Sequence, residues 1–550
     1  MFSDKKNVNI LTSLLVAHGV RHAVVCPGSR NAAIAHNLDA CGGICCYPVT
    51  DERSAGFYAL GLCQATNAPV VVCVTSGTAL LNLFPAVAEA FYQHLPLVVL
   101  SADRPAQWID QLDGQTLPQV GVLERFVCKT VNLPEPHDEE SHWYCNRLIN
   151  EALIACMKGC CEPVHINVPI TEPLYQFNTK ALPIERKINF VSGLSNFNNT
   201  SIQHFQPILT ALKHARKPLI VIGQMKPSAL FSEQIERLIS QQHVVLHEPL
   251  STDRGDCHLG EMMSLIGENE DFLPDFILYM GDTLVSKRLK AFLRKTPKAE
   301  CWVVNPEGIL HDTFMNLTGI VQAGPEDIMQ AIDFHGNAEW FNQWEEMQQH
   351  ACKHCMTFEP HYSNMLAVKQ LEALLSTDSS KAIVHYANST SIRLGCIYAR
   401  HHAFCNRGVN GIEGSLSTAA GYSLMTDKRV FCIIGDLSFF YDQNALWNQN
   451  LRGNFRILLL NNHGGGIFGK FEGLKQSPTR NRMVMAEHTT TAEGICRDNQ
   501  IRYYTANNAQ TLEHSLNVLA NENSERPILL EVFTNAETDL QIYQKYFNTL

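Results

Sequence analysis

Two polar segments in the last third of the chain carry residue types that suit a divalent cation. Gly435-Asp436-Leu437-Ser438 and Asn461-Asn462 each follow an apolar run. Carboxylate and amide oxygens are ligands that Mg²⁺ accepts. Open α/β sheets bind ligands beyond the carboxyl ends of their strands, and neighbouring glycines let backbone approach a diphosphate. Asp436 and Asn462 therefore indicate a site for a metal ion and a diphosphate.

The two apolar runs predict the strands that position these residues. Arg429 to Ile434 and Phe455 to Leu460 are each apolar apart from one arginine, as expected for strands covered by helices on both faces. Asp442 to Leu451 can form one helix between them, which makes the unit βαβ. Asp436 and Asn462 are then predicted at the same edge of the sheet.

The same residues allow three other interpretations. Gly-Asp and Asn-Asn pairs often form simple turns that close buried strands. Gly464 to Lys470 nearly matches a nucleotide-binding P-loop with Lys470 on the phosphates, but Phe471 stands where that motif needs Ser or Thr for magnesium. His463 to Gly466 is similar to the oxyanion loop of some hydrolases. The chain has no Gly-x-Ser-x-Gly elbow, which argues against a hydrolase.

The spacing of Asp436 and Asn462 resembles the signature of thiamine diphosphate enzymes, in which Asn-Asn follows Gly-Asp by some two dozen residues. The resemblance implies thiamine diphosphate as the cofactor and Mg²⁺ or Mn²⁺ as the metal, with Asp436, Asn462 and the backbone oxygen of Gly464 as ligands. Further cofactor contacts that it implies here are Gly435, Leu437 and Ser438. His463 and Gly466 depart from the usual pattern, which leaves the contacts of their loop open.

A second group of motifs lies near the N-terminus. Tyr47 to Arg53 precedes a helix of small residues, Ser54 to Ala65, and then the strand Pro69 to Val74 and a turn. On its own, Glu52 fits a helix-capping or surface charge. Thiamine diphosphate enzymes carry a glutamate in this context, so the resemblance implies that Glu52 is the catalytic residue. The turn residues that it assigns to the cofactor are Thr75, Ser76 and Gly77.

Thiamine chemistry explains why a carboxylate is needed at this position. The cofactor must lose the proton on C2 of its thiazolium ring, and its aminopyrimidine can act as the base only as the imino tautomer. A carboxylate bonded to ring nitrogen N1′ favours that tautomer, which is acid–base catalysis relayed through the cofactor. Glu52 is the residue expected at N1′.

Several further motifs narrow the resemblance. They are Val25 to Asn31, Leu100 to Pro105, Asn388-Ser389 with Arg393, Asn406 to Gly408 and Gly411 to Gly414. Together they resemble the menaquinone-pathway 2-succinyl-5-enolpyruvyl-6-hydroxy-3-cyclohexene-1-carboxylate synthases. This family implies a decarboxylating addition that joins 2-oxoglutarate to isochorismate and releases carbon dioxide. Another thiamine diphosphate decarboxylase or carboligase is the alternative, since it would share Glu52, Asp436 and Asn462 without needing several arginines.

Both implied substrates are polyanions, whereas the chain carries a formal charge of −11. The site must therefore supply local cations, and the planar fork of arginine suits carboxylates because it donates two parallel hydrogen bonds. The substrate-binding residues that the resemblance implies are Ser29, Arg30, Arg104, Gln115, Lys287, Ser389, Arg393 and Arg407. Ile467 and Phe468 fit either a wall of this pocket beyond the diphosphate loop or ordinary core packing. The resemblance also implies that Ile412 lies under the cofactor, where a bulky side chain forces a bent form with the amino group near C2.

Length and element pattern predict the domain organisation. The 550 residues suit about three domains of ordinary size. Strand and helix signals alternate throughout, which predicts an α/β fold in which each domain has a mainly parallel sheet flanked by helices; the resemblance makes this the thiamine diphosphate-binding fold. The expected domains are pyrimidine-binding at 1–180, central at 200–338 and diphosphate-binding at 363–550. A polar linker is expected through about Thr200 and a helical one from Glu339 to Tyr362.

The remaining features bear on partners and compartment. No apolar run approaches a membrane span, and no basic patch interleaved with aromatic residues suits nucleic acid. The 19 cysteines and the lack of a signal peptide predict reduced thiols in the cytoplasm. Cys352 and Cys355 form a lone Cys-x-x-Cys pair, so no zinc site is expected. Because Glu52 and Asp436 lie in different domains, the resemblance implies at least a homodimer with active sites between subunits, or a tetramer of two such dimers.

Overall fold

The computed structural model describes residues 1–159, 161–191, 199–253, 258–376 and 382–550 of the chain. They form three sheets whose strands all run parallel, and helices pack on both faces of each sheet. The predicted α/β architecture is confirmed. Within the described ranges, no helix has the length and apolar character that a bilayer span requires. Residues 192–198 of the predicted polar linker lie outside those ranges.

The first sheet belongs to the N-terminal domain. Its strands are β1 (His22–Val25), β2 (Cys45–Pro48), β3 (Val70–Val74), β4 (Leu97–Asp103), β5 (Lys129–Asn132) and β6 (Val164–Pro169). The helices around it are α1 (Lys6–Ala17), α2 (Ala32–Ala40), α3 (Glu52–Thr66), α4 (Thr78–Asn82), α5 (Phe84–Tyr92) and α6 (Glu139–Met157). The strands lie in the order β2-β1-β3-β4-β6-β5. The central strands β3 and β4 are buried throughout because helices cover both faces.

The middle sheet carries few of the predicted site residues. Its strands are β7 (Pro218–Ile222), β8 (Val245–Leu246), β9 (Phe276–Met280), β10 (Glu300–Asn305) and β11 (Leu317–Gln322). The helices of this region are α7 (Asn199–His214), α8 (Ala229–Ser240), α9 (Leu259–Ile266), α10 (Lys287–Leu293), α11 (Pro325–Ala331) and α12 (Ala338–Thr357). The strands lie in the order β11-β10-β9-β7-β8. Among the predicted substrate residues, Lys287 lies here, as the first residue of α10.

The third sheet carries the predicted metal residues at its carboxyl edge. Its strands are β12 (Ala382–Tyr386), β13 (Ala403–Phe404), β14 (Arg429–Gly435), β15 (Phe455–Asn461), β16 (Arg502–Ala506) and β17 (Ile528–Phe533). Its helices are α13 (Asn364–Leu375), α14 (Thr390–Tyr398), α15 (Ser415–Ser423), α16 (Asp436–Tyr441), α17 (Glu472–Lys475), α18 (Glu493–Asp498), α19 (Ala509–Asn521) and α20 (Ala536–Asn548). The order β13-β12-β14-β15-β17-β16 repeats that of the first sheet strand for strand, a structural repeat that the sequence did not reveal.

Short 3₁₀ and π-helical turns complete the described structure. The 3₁₀ helices are Ala106–Trp108, Glu124–Phe126, Glu270–Phe272, Gln443–Ala445 and Gly466–Lys470, and the π-helical turn is Arg480–Val484. The last 3₁₀ helix covers the segment that resembled a P-loop.

The N-terminal and C-terminal domains pack against each other through α3 and α15. A Cβ at Gly61 of α3 would collide with the carbonyl oxygen of Thr418 on α15, so the small residues of α3 let two backbones approach closely. The buried side chains around this crossing form one hydrophobic cluster with members from both domains. Tyr58 adds a hydrogen bond from its hydroxyl to the carbonyl of Ala445, 2.6 Å away. The helix that begins at Glu52 is thereby anchored on the domain that carries Asp436.

One predicted helix is wrong. Asp442 to Leu451 was expected to be helical, but α16 ends at Tyr441 and the short 3₁₀ helix Gln443–Ala445 follows. The fully buried carboxylate of Asp442 accepts hydrogen bonds from the N–H and the hydroxyl of Ser417, both at 2.8 Å. These bonds tie the C-cap residue of α16 to α15, and burial raises the pKa of Asp442 to about 6.

Candidate cofactor and substrate site

Asp436 lies at the carboxyl end of β14, as the first residue of α16, and is buried. Its Oδ1 accepts the N–H of Leu437 at 2.7 Å and its Oδ2 accepts the N–H of Gly464 at 2.9 Å. Nε2 of His488 lies 3.4 Å from Oδ2. Burial raises the pKa of Asp436, and these donors oppose the shift. Because β14 and β15 pair in parallel, the two strand ends meet at one edge, as predicted.

The side chain of Asn462 is held by a carboxylate far along the chain. Its Nδ2 donates to Oδ2 of Asp539, 3.2 Å away. Asp539 also accepts the hydroxyl of Thr534 at 2.7 Å and the N–H of Asn364 at 2.9 Å. Burial raises the pKa of Asp539, and the nearby charge of Asp436 raises it further. The amide nitrogen of Asn462 is therefore turned toward Asp539, and the amide oxygen is the end available to a cation.

The loop after Asn462 has little room for side chains. A Cβ at Gly466 would lie 2.8 Å from Nδ2 of Asn462, so glycine at this departure from the usual pattern keeps the amide in place. The carbonyl of Gly464 accepts the N–H of Gly466 at 2.9 Å. A carbonyl oxygen has two lone pairs, so this bond does not prevent it from binding a cation as well.

This part of the site fits a divalent cation. Within the described residues, the buried carboxylate of Asp436 and the half-buried carboxylate of Asp539 form no ion pair with lysine or arginine, and the charge of Asp436 raises the pKa of Asp539. Buried charges normally require a partner or a metal. A carboxylate, an amide oxygen and a carbonyl form the oxygen donor set that Mg²⁺ and Mn²⁺ accept.

Glu52 is the first residue of α3, but it does not cap the helix. Asp51 is the N-cap residue, and its side chain accepts the N–H of Ser54 at 2.9 Å. Glu52 instead accepts a hydrogen bond on Oε2 from the side-chain amide of Asn82, 3.1 Å away, and it is half-buried. The capping interpretation of Glu52 is therefore wrong, because the residue before it performs that task.

The turn after β3 is joined to the predicted substrate residue Gln115. The hydroxyl of Ser76 donates to the carbonyl of Gln115 at 2.9 Å, and Nε2 of Gln115 donates back to the carbonyl of Ser76 at 3.2 Å. The N–H of Gly77 donates to Oε1 of the buried Gln119, 2.7 Å away. The hydroxyl of Thr75 is buried and has no hydrogen-bond partner in the described parts of the chain. These contacts bring the predicted cofactor turn and Gln115 together.

Arg30 and Arg104 form one cationic cluster in the N-terminal domain. Arg30 is buried and donates to the carbonyl of Ile170 at 2.9 Å, and it forms an ion pair with Glu172 at 3.3 Å. Arg104 pairs with Asp113 at 3.0 Å and lies 3.9 Å from the same Glu172. Burial lowers the pKa of Arg30, and the charge of Arg104 adds to this effect. Ser29 is exposed beside Arg30.

Arg393 and Arg407 form a second cluster at the carboxyl ends of β12 and β13. Nη1 of Arg407 donates to Oδ1 of Asn388 at 3.2 Å. Among the residues that the structure describes, Nη1 of Arg393 and Nε of Arg407 are buried without a hydrogen-bond partner. Burial lowers the pKa of Arg393, Tyr543 raises it, and the neighbouring charge of Arg407 lowers it. Ser389 lies beside this cluster as the N-cap residue of α14.

Lys287 faces the same region from the middle domain. It lines a cavity of about 330 Å³ between the middle and C-terminal domains, and Arg393 and Tyr543 line the cavity as well. Lys287 itself is exposed. The structure thus brings Lys287 to Arg393, although the two residues lie in different domains.

The three predicted apolar contacts lie near the metal residues. Ile412 is 40% exposed, and its carbonyl accepts a hydrogen bond from the hydroxyl of Ser438, two residues after Asp436. Ile467 and Phe468 lie in the 3₁₀ helix that follows Asn462, and both are half-buried. An exposed isoleucine at this position is not an ordinary core residue.

The predicted site residues fall into two sets within one chain. In the part of the chain that the structure describes, no hydrogen bond or ion pair joins Glu52 to Asp436, and none joins Arg30 or Arg104 to the second arginine cluster. One set belongs to the first sheet, and the other belongs to the third sheet together with Lys287 of the middle domain. A cofactor that touches both sets must bridge them.

Sequence reasoning missed three residues of this site. Asp539 lies 77 positions from its partner Asn462, and Gln119 lies 42 positions from Gly77. Asp539 stands in the first turn of α20, where acidic residues are common for helix stability alone. His488 is a single histidine in a loop. No local spacing could have singled out any of the three.

Comparison with known proteins defines the class. Residues 6–122 match the thiamine pyrophosphate enzyme N-terminal TPP binding domain, and residues 390–532 match the C-terminal TPP binding domain of the same enzymes. Residues 268–381 match the middle domain of thiamine pyrophosphate enzymes. Glu52 falls within the first match and Asp436 within the last. The chain is a thiamine diphosphate-dependent enzyme.

Full-length relatives define the family. The chain is 42% identical over 566 residues to the 2-succinyl-5-enolpyruvyl-6-hydroxy-3-cyclohexene-1-carboxylate synthase of Bacteroides fragilis, with 100% of each chain covered. It is 42% identical over 565 residues to the enzyme of that name from Bacteroides thetaiotaomicron, again over 100% of each chain. It is 34% identical over 573 residues to that of Porphyromonas gingivalis, which covers 99% of this chain and 97% of the relative. The chain belongs to this family of synthases, which favours the main interpretation over the P-loop and the other carboligases.

Proposed function

We propose that the protein decarboxylates 2-oxoglutarate and adds the resulting succinyl semialdehyde carbanion equivalent to isochorismate. The products are 2-succinyl-5-enolpyruvyl-6-hydroxy-3-cyclohexene-1-carboxylate and carbon dioxide, in menaquinone biosynthesis. The observation that carries this proposal is the pair Arg393 and Arg407 at the same sheet edge as Asp436: within the described residues, one guanidinium nitrogen of each, Nη1 of Arg393 and Nε of Arg407, is buried without a hydrogen-bond partner. Buried donors of this kind on two half-buried cations suit a dicarboxylate substrate.

Asp436, Asn462 and the carbonyl of Gly464 would hold the metal, Mg²⁺ or Mn²⁺. Gly435, Leu437 and Ser438 would contact the diphosphate, where backbone and hydroxyl groups suit phosphate oxygens. Thr75, Ser76 and Gly77 would contact the other end of the cofactor, and Ile412 would support its central bridge. Bound thiamine diphosphate would supply a carbanion at its thiazolium C2, which is the chemistry that decarboxylation of a 2-oxoacid needs.

Glu52 would bind a proton at ring nitrogen N1′. Asp51 already caps α3, so Glu52 is the carboxylate at the start of this helix that is available to the cofactor. A carboxylate that shares a proton with a ring nitrogen contributes general acid–base catalysis. Glu52 is therefore the proposed catalytic residue.

The two arginine clusters would divide the substrate carboxylates between them. Arg393 and Arg407, with Ser389 and Lys287, would bind one anionic group, and Ile467 and Phe468 would wall the apolar side of the pocket. Arg30, Arg104 and Gln115, with Ser29, would bind another from the N-terminal domain. Carboxylates bound at both ends would orient the two substrates and so reduce the entropy that must be lost before the carbon–carbon bond forms.

A homodimer would join the two sets of residues into complete sites. Within the described residues no hydrogen bond joins Glu52 to Asp436, which supports a site in which each comes from a different subunit, and a tetramer would hold two such dimers. The proposed domains are 1–180, 200–338 and 363–550. Free cysteines throughout the described residues support a reducing compartment, the cytoplasm.

Substrate comparison tests this proposal. Purified protein with thiamine diphosphate and Mg²⁺ is given isochorismate with either 2-oxoglutarate or pyruvate, and isochorismate absorbance and carbon dioxide are followed. Loss of isochorismate in the presence of 2-oxoglutarate, but not in the presence of pyruvate, supports the proposal. Carbon dioxide from pyruvate without reaction of 2-oxoglutarate would favour another carboligase. Lys470→Ala tests the P-loop alternative, which predicts nucleotide binding that this change abolishes.

A further inference from the structure

A buried glutamate of the N-terminal domain holds the loop that carries Arg407. Glu89, on α5, accepts the backbone N–H groups of Gly408 and Val409, each at 2.7 Å. These are the two residues that directly follow Arg407. A Cβ at Gly408 would lie 3.1 Å from Oε1 of Glu89, so the loop lies directly on the helix.

A second buried glutamate holds the loop that carries Lys287 in the same way. Glu248, which follows β8, accepts the backbone N–H groups of Val285 and Ser286, each at 2.7 Å. These two residues directly precede Lys287. Two loops distant in sequence are therefore held by the same hydrogen-bond pattern. In each, a carboxylate accepts two consecutive peptide N–H groups beside a cationic residue that is predicted to bind substrate.

The burial of these carboxylates requires an explanation. Glu89 is 3% exposed and Glu248 is 4% exposed, and neither forms an ion pair with lysine or arginine within the described ranges. Burial raises the pKa of both groups, and the backbone N–H bonds lower it. Burying a charge without an ionic partner is costly. Core packing alone would be better served by an apolar side chain of similar size.

The two held loops meet in the same region. The charge of Arg407 lowers the pKa of Glu248, so the cation of one loop lies near the carboxylate that holds the other. Arg407 nevertheless makes its hydrogen bond to the amide of Asn388. Because the glutamates accept peptide N–H groups, the loop positions are fixed while the guanidinium keeps its capacity for a substrate.

We propose that Glu89 and Glu248 are positioning residues that fix the loops bearing Arg407 and Lys287, and thereby set where these two cations contact the anionic substrate. The loop-fixing part stands on the contacts alone, whereas the substrate part rests on the proposed function. Glutamine in either place would keep one acceptor oxygen but would turn an NH₂ group toward the second peptide N–H, leaving that donor unsatisfied.

Amide hydrogen exchange tests the loop-fixing part. Protein loaded with thiamine diphosphate and Mg²⁺ is compared as wild type, Glu89→Gln and Glu248→Gln, with exchange read in peptides covering 406–414 and 283–288. We expect each variant to speed exchange in its own loop by about tenfold or more, as local opening becomes easier, and to leave the other loop unchanged. Unchanged exchange in both loops overturns the proposal whatever the reaction is.

A matched control removes a buried carboxylate that, within the described ranges, accepts no backbone N–H group. Glu372 is 4% exposed and bonds to the side chains of Tyr386 and His401. Glu372→Gln should lower stability and leave exchange in both loops at the wild-type rate. If a glutamine variant of Glu89 or Glu248 fails to fold, the aspartate variant is measured in its place. Aspartate keeps the charge, but its side chain is one methylene shorter.

Kinetics test the substrate part. Glu89→Gln and Glu248→Gln should each raise KM for 2-oxoglutarate on the order of tenfold, since small displacements of binding groups have large effects, while the affinity for thiamine diphosphate stays within about twofold of wild type. Faster loop exchange with an unchanged KM would overturn the link to substrate. A wild-type protein that does not use 2-oxoglutarate would contradict the proposed function and leave the exchange result standing.

Discussion

Asp539 accepts a hydrogen bond from the side-chain amide of Asn462 over 3.2 Å. This contact orients the amide so that its nitrogen faces Asp539 and its oxygen is available to a cation. Asp539 is itself held by Thr534 and by the backbone of Asn364. Partners of this kind orient metal ligands and commonly change metal affinity by about 10- to 100-fold when removed.

Asp539→Ala should therefore weaken metal binding. We expect the Mg²⁺ concentration for half-saturation to rise by about 10- to 100-fold. The readout is the affinity for Mn²⁺, followed by its electron paramagnetic resonance signal in the presence of thiamine diphosphate. Asp498→Ala, on the surface of α18, is the control and should bind as wild type. Equal affinities in the two variants would remove Asp539 from the metal site.

Glu52→Gln should separate chemistry from binding. Turnover should fall by about 10²- to 10⁴-fold, because a neutral amide cannot hold the proton at N1′, while the affinity for thiamine diphosphate, measured by calorimetry, stays close to wild type. The neighbouring Asp51→Ala gives the contrasting result: it removes the cap of α3 and should cost about 1 kcal/mol of stability. Full turnover by the Glu52→Gln variant would exclude Glu52 as the catalytic residue.

Much of the fold and part of the site could be predicted from the sequence. Strand ends such as Gly435 and Asn461 follow from uninterrupted apolar runs and lie within one residue of their predicted places. The predicted helix from Asp442 was wrong: Asp442 ends α16 and bonds to Ser417, 25 positions away, a contact that local propensity does not report. Propensity and spacing report local structure, so they could not reveal contacts such as that between Glu89 and the loop after Arg407.

Arg393 and Arg407 should determine affinity for the dicarboxylate. Arg393→Met and Arg407→Met should each raise KM for 2-oxoglutarate by about 10- to 100-fold, the equivalent of one lost charge-assisted hydrogen bond or two. Lysine at either position should restore little of the affinity for 2-oxoglutarate, because it lacks the planar fork of arginine. Initial-rate kinetics provide the measurement, with the exposed Arg497→Met as control. A full rescue by lysine would show that charge alone is required.

Asp442 should make stability depend on pH. Burial raises its pKa to about 6, compared with about 3.9 when unfolded. Between these values the native state binds more protons than the unfolded state, so the free energy of unfolding falls as pH rises, by up to roughly 3 kcal/mol. Asp442→Asn cannot ionise, so its free energy of unfolding relative to wild type should increase by about that amount between about pH 4 and pH 7. Urea denaturation measures this, and a pH-independent difference would contradict it.

Mixed variants test whether each site is shared between subunits. Glu52→Gln and Asp436→Ala should each be inactive alone. In a hybrid dimer one site would contain both changes and the other neither, so the purified hybrid, with one intact site of two, should have about half of wild-type activity. Co-expression of two tagged chains and tandem purification provide the sample. No activity in the hybrid would place both residues in a site made by one chain.

The central claim is that decarboxylation of 2-oxoglutarate is coupled to addition to isochorismate. Purified protein with thiamine diphosphate and Mg²⁺ is given 2-oxoglutarate labelled with ¹³C at its C1 carboxylate, together with isochorismate. We expect labelled carbon dioxide and loss of isochorismate in equal amounts, and an unlabelled product whose mass is the sum of the two substrates less that of carbon dioxide. Labelled carbon dioxide without loss of isochorismate, or no reaction of either substrate, would contradict the account.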